Sequence, residues 1–105
     1  MVVVSYDKIE RGRLEEHIIT LEGHANYDEM GKDIVCASVS ILITALASML
    51  DYYDENYESE VVEQGNVDIR YKCNAGDIRT DTVFQMAMEG FELLAFRYPD
   101  YVCVT

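Results

Sequence analysis

From Ile34 to Leu50 the chain carries no charged residue. A run of this kind leaves two options, a membrane span or a helix with little surface to show to water. A span needs about 17–25 predominantly apolar residues. This run sits at the short limit and contains Ser38, Ser40, Thr44 and Ser48, so it reads as a buried helix and no membrane association is expected. Val35, Val39, Leu42, Leu46 and Met49 recur on one helical face, while Ile34, Ile41 and Ala45 cover much of another. A helix so apolar either lies centrally on a sheet or is shared with a second subunit.

The rest of the chain supplies the sheet. "MVVVSYDKI" is β-branched and aromatic, "EEHIITLEG" alternates as its partner, and "DKIERGR" provides the turn, so the chain opens with a hairpin. Gly23 ends the second strand. The polar stretch from Ala25 to Lys32 has no apolar period and reads as an exposed loop, after which Asp33 can cap a helix running to about Leu50. "DYYDENYESE" reads as an acidic, solvated connection, and "SEVVEQGNVDIRYKC" as a second hairpin around "QGN". From about Thr80 to Arg97, Val83, Ala87, Gly90 and Leu94 with Phe84, Met88, Phe91 and Ala95 give a helical pattern. Thr82 with Gln85 offers a capping box, the methionines fill core gaps, and Pro99 closes the helix before "YVCVT", a short edge strand.

The expected fold class is therefore α+β: a small antiparallel sheet with two helices, in the order β-β-α-β-β-α with a C-terminal edge strand. At 105 residues there is room for one core, hence a single domain over 1–105. Apolar residues precede basic ones in "MVVVSYDKIERGR", the reverse of a secretory signal, so the cytoplasm is the expected compartment. A formal net charge of −12 argues against nucleic-acid binding, because phosphates would be repelled, and favours a basic partner. Cys36, Cys73 and Cys103 are odd in number and lack CxxC spacing, so neither a disulfide framework nor a zinc knuckle is signalled, and no metal or cofactor is expected.

Chemistry concentrates where the loop meets the helix. With Asp33 as N-cap, Cys36 is the third helical residue, where unsatisfied N–H groups and the positive end of the macrodipole favour a thiolate. His24 precedes it by a loop of eleven residues, long enough to fold back and offer an imidazole as proton acceptor. Ser40 lies one turn beyond Cys36 on the same face. Asp33 has two readings, cap or orienting partner of His24. On spacing alone a surface histidine beside a core thiol is the commoner arrangement. His17 reads as an ordinary surface or half-buried strand residue, and Cys73 and Cys103 as structural.

The stretch Gly23-His24-Ala25, a short loop to Gly31, then Asp33-Ile34-Val35-Cys36-Ala37 and Ser40, resembles the signature of the ribosomal-processing cysteine protease (Prp) family. The loop here keeps only Gly31, where family loops are often richer in glycine. The resemblance implies a small cytoplasmic homodimer that cleaves one peptide bond with Cys36 as nucleophile and His24 as base, supported by Asp33 and Ser40. Gly23, Ala25 and Gly31 would shape a loop that moves when substrate binds. The implied substrate is the N-terminal extension of a large-subunit ribosomal protein, cut after a phenylalanine-rich segment. Phage capsid or scaffold proteins with a similar sequence are the alternative substrates, and a non-catalytic dimeric interaction module is the alternative outside enzymology.

Overall fold

The computed structural model describes residues 1–29, 31–54, 58–63 and 66–105. Two antiparallel strands, β1 (Val2–Arg11) and β2 (Leu14–Glu22), open the chain. They meet across a two-residue turn at Gly12-Arg13, where Gly12 adopts the positive φ (+66°) that such tight hairpins need. The polar segment 7–11 is thus strand rather than turn, because cross-strand pairing of Arg11 with Leu14 and Glu10 with Glu15 outweighs its polar composition. Helix α1 (Ile34–Tyr53) follows, then the hairpin β3 (Glu58–Glu63) and β4 (Asn66–Asn74), helix α2 (Ile78–Arg97) and β5 (Val102–Val104). The central "QG" of the expected second turn, and residues 55–57 of the acidic connection, lie outside the described residues.

One five-stranded sheet results, in the order β3-β4-β2-β1-β5. The class and element order are those expected, with one addition. β5 is an edge strand, as read from the sequence, but it runs parallel to β1, in the register Val2 with Val102. β4 and β5 therefore point the same way, and α2 is the crossover that carries the chain over β2 and β1 between them.

Alternation along the strands separates the two faces. Val2, Val4 and Tyr6 of β1, Ile19 and Leu21 of β2, and Val67, Ile69 and Tyr71 of β4 share the helix-covered face by register. Val35, Val39, Leu46 and Leu50 of α1 and Phe84, Ala87 and Phe91 of α2 complete the core against them. The two helices touch at Gly90, where an added Cβ would run into the Leu42 side chain. α1 continues three residues past the expected end, and Tyr53 lies half-buried with the Arg79 guanidinium 4.0 Å from its ring centroid, joining the end of α1 to the start of α2.

By length and composition α1 would suffice to cross a membrane, yet one stripe of it lies in the protein core. Its second apolar face is left exposed by the described residues: Ile41 is 65% and Tyr52 84% exposed, and Met49 is also on the surface. α2 starts two residues earlier than the pattern suggested. Its cap is Asp77, which accepts from the N–H groups of Arg79 (3.1 Å) and Thr80 (3.3 Å). Thr82 is already one turn inside, its hydroxyl donating to the Ile78 carbonyl, so no capping box forms there. Met88 packs against the core as a gap-filler should, whereas Met86 is exposed.

The largest departure from the sequence reading is His17, which is wholly buried. It stands between the Tyr6 hydroxyl, 2.6 Å from Nδ1, and Glu15, whose Oε2 is 3.2 Å from Nε2, with the Phe84 ring stacked 4.8 Å away. Neighbouring strands and α2 enclose this polar end of the sheet, a tertiary effect that strand periodicity does not reveal.

Burial pushes the His17 pKa below its ordinary 6.5, with Glu15 only partly opposing it. Burial would raise the Glu15 carboxyl, but Lys8 and the Gly76 N–H more than offset this and hold it low. For both groups the unfolded chain binds protons more readily, so both remove stability as pH falls, His17 below about 6.5 and Glu15 below about 4.5. The urea midpoint should be lower at pH 5.5 than at 7.5, and His17→Gln should flatten that difference. A second expectation concerns Gly23, whose φ is +90° and whose missing Cβ would strike the Met1 carbonyl. Gly23→Ala should destabilise by roughly 1–3 kcal/mol in denaturant titrations.

Candidate active site

The chain leaves β2 at Glu22 and returns to the sheet only as α1, so the loop between them lies over the N-terminal end of the helix. Gly23 donates its N–H to Asn66 Oδ1 (3.1 Å), and the His24 carbonyl accepts from the Met1 nitrogen (2.6 Å). The backbone on both sides of the His24 ring is thereby held by β4 and by the start of β1. Ala25, expected on the surface, is buried in the core and anchors the loop immediately after the histidine.

Asp33 organises the remainder. Its Oδ1 accepts from the Cys36 N–H at 2.8 Å, the N-cap bond expected from the sequence. Its Oδ2 accepts from the N–H groups of Tyr27 (3.0 Å) and Asp28 (3.4 Å), so the same carboxylate ties the loop to the helix. Burial works to raise its pKa, but the N–H groups of Cys36, Tyr27, Asp28 and Val35 prevail and keep it below the ordinary carboxyl value. Of the two readings of Asp33, the cap is the one its hydrogen bonds describe. Since the Cys36 N–H is taken up by that cap, the helix start offers the sulfur its dipole rather than this N–H as a free donor.

Aromatic contacts add a third tie that the sequence analysis missed. The Tyr27 ring meets Tyr98 and Tyr101 edge-on, at centroid distances of 5.6 and 5.1 Å, linking the loop to the segment between α2 and β5. Gly31 has a φ of +88°, a conformation open to glycine, and an added Cβ there would meet no described residue within 4 Å.

These ties bring the singled-out residues together. His24, Ala25, Gly31, Asp33, Cys36 and Ser40 line one cavity of about 620 Å³. Cys36 is a free, exposed thiol at its wall. A second cavity of about 290 Å³ adjoins it, sharing His24, Ala25, Cys36 and Ser40, and Gly23 lines this one. Its remaining wall is apolar: Val2, Leu21, Val39, Ile43 and Val67. Those five come from β1, β2, α1 and β4, so no local motif announces them. An exposed thiol and an imidazole facing one cavity, next to an apolar recess, can attack and hold an extended peptide.

No curated protein matches the chain. A solved structure of the essential ribosomal processing protease Prp from S. aureus, in complex with a covalently linked product peptide, superposes with a TM-score of 0.83 at 18% identity, covering 100% of this chain and 98% of that one. The same protease in complex with a substrate peptide gives a TM-score of 0.76 at 18% identity over 100% and 98% of the two chains. SMU.848 from Streptococcus mutans gives 0.70 at 25% identity over 100% and 92%. At these identities the structures show a shared fold. The family model described as cysteine protease Prp matches residues 1–103, nearly the whole chain, and the chain belongs to that family of cysteine proteases.

Proposed function

We propose that this chain is a cytoplasmic endopeptidase that removes the N-terminal extension of a large-subunit ribosomal protein, with Cys36 as nucleophile and His24 as its proton shuttle. The observation that carries the reading is the shared cavity: an exposed thiol on the first turn of α1 faces the same space as the only histidine side chain lining it. The solved S. aureus relative is a ribosomal processing protease bearing a covalently linked product peptide, which fits a thiol nucleophile on this fold.

In this mechanism the Cys36 sulfur attacks the scissile carbonyl while His24 takes the thiol proton and passes it to the departing amine. A thioester to Cys36 results. Water, deprotonated by His24, then attacks that carbonyl and releases the excised extension as its carboxylic acid, with the thiol restored and the shortened protein already departed as the amine. Asp33 acts on both partners at once by holding the loop and the helix start in one piece. Ser40 lines both cavities beside the sulfur and steadies the substrate. The apolar recess accepts an apolar side chain next to the cut, consistent with cleavage after a phenylalanine-rich segment, and a phage capsid or scaffold protein carrying such a segment would fit the same recess.

The formal charge of −12 favours approach of a basic ribosomal-protein terminus and disfavours direct contact with nucleic acid. The uncovered apolar face of α1, with Ile41 and Tyr52, is the surface on which two copies would pair as a homodimer.

Intact-mass analysis of an extended ribosomal protein should show loss of its N-terminal segment with the wild-type chain and none with Cys36→Ala. Cleavage that survives Cys36→Ala would end the proposal. His24→Ala should slow turnover about 10²–10⁴-fold and slow alkylation of Cys36 by iodoacetamide. Asp33→Ala should cost about 0.5–2 kcal/mol of stability in denaturant titrations, with a loss of activity greater than that of an exposed control substitution such as Glu29→Ala.

A further inference from the structure

A second group of reactive side chains sits at the far end of β2 from His24. Glu15 and His17 are two residues apart on that strand, so their side chains leave the same face of the sheet. Cys73 stands directly opposite Glu15 on β4, on that face as well. A carboxylate oxygen of Glu15, a ring nitrogen of His17 and the Cys73 sulfur all lie within 4.8 Å of one another. Two neighbours on one strand and one across from them is a convergence that a pleated sheet supplies without any loop.

The hydrogen bonds single out which atoms remain available. His17 Nδ1 is engaged with the Tyr6 hydroxyl at 2.6 Å, and Glu15 Oε1 with the Gly76 N–H at 2.6 Å. His17 Nε2 and Glu15 Oε2 are left. They are 3.2 Å apart; Glu15 Oε2 ion-pairs with Lys8 Nζ at 3.1 Å, yet among the described residues neither atom has a partner in hydrogen-bond alignment. Both belong to residues that are at least 99% buried, where an unmet nitrogen or carboxylate oxygen is costly. A cavity of about 180 Å³ opens on the Glu15 side of the group, lined by Lys8, Glu15, Gly76, Asp77, Ile78 and Asp81.

We infer that Glu15, His17 and Cys73 form a binding site for a borderline-soft divalent cation of the zinc class, with water from the adjoining cavity as fourth ligand. Carboxylate, imidazole and thiolate together are a donor set that suits zinc, and three protein ligands plus water complete a tetrahedron. His17 ligates through Nε2, and its Nδ1–H donates to the Tyr6 oxygen, an outer partner that fixes the tautomer and the ring. Lys8, at the exposed rim, yields Glu15 to the ion and keeps Asp81, 3.3 Å from its ammonium. Cys73 loses its proton on binding, so affinity rises with pH. The site is independent of the cleavage chemistry at Cys36, and the cysteine spacing alone gives no sign of it.

The test uses the full chain carrying Cys36→Ser, which removes the thiol of the proteolytic site. Titration with Co²⁺, a spectroscopic stand-in for zinc, should give one equivalent of binding with a thiolate-to-cobalt charge-transfer band that Zn²⁺ displaces. Adding Cys73→Ser should abolish the band, and Zn²⁺ should raise the melting temperature of the Cys36→Ser protein but not of the double variant. Absence of the band from Cys36→Ser, or its persistence in the folded double variant, overturns the site. If the double variant does not fold, two further substitutions in the Cys36→Ser chain decide. Tyr6→Phe should weaken Co²⁺ about 10- to 100-fold through loss of the outer partner, and Lys8→Gln should tighten it by removing the competing ammonium. Affinity unchanged by both is the overturning result.

Discussion

Burial of one stripe of α1 on the sheet is the constraint from which the candidate active site follows. Val35, Val39, Leu46 and Leu50 occupy the core, and that face sets the rotation of the helix about its axis. With Val35 facing inward, the next residue is turned by about 100°, which leaves Cys36 at the edge of the buried stripe rather than under it. The thiol is thus exposed to a cavity although it sits in the most apolar segment of the chain. A helix rotated by one residue would either bury this sulfur or carry it away from His24.

The loop does not have that support, and it is held by a few directional bonds instead. Asp33 serves the helix with one oxygen and the loop with the other, Ala25 plugs into the core, and Tyr27 leans on Tyr98 and Tyr101. Each tie is weak beside the burial of a helix face, of the order of one hydrogen bond or one aromatic pair. These ties fix the loop over the helix start through contacts separate from those that hold the sheet together.

The two ends of the helix-covered face differ in what they ask of their residues. Near Val2, Leu21 and Val67 the sheet is apolar and provides a recess beside Cys36. Toward Glu15 and His17, with Lys8 at the exposed rim, it becomes polar while these two remain buried, because α2 starts over them and Phe84 stacks on His17. Buried charges of this kind contribute little net stability compared with apolar replacements of similar shape, and they are sensitive to loss of a partner. A cation held there would change that balance by giving the unmatched atoms a ligand.

What the sequence by itself determined is what depends on local period, local capping and short spacing. The hairpins, the two helices, the Asp33 cap and the placing of Cys36 on the first turn with His24 shortly before it all follow from residues close together in the chain. Departures from local pattern are also local: β1 runs through 7–11 up to the turn, Asp77 rather than Thr82 caps α2, and α1 runs three residues past Leu50. Only the tertiary structure decided the features assembled from distant strands. The parallel pairing of β5, the apolar recess lined from four elements, the Tyr27 contacts and the burial of His17 among Tyr6, Glu15 and Phe84 are of this kind. The physical reason is that alternation along a strand tells which side a residue faces, but whether that side meets water, a helix or a carboxylate depends on which strand lies next to it and what crosses above.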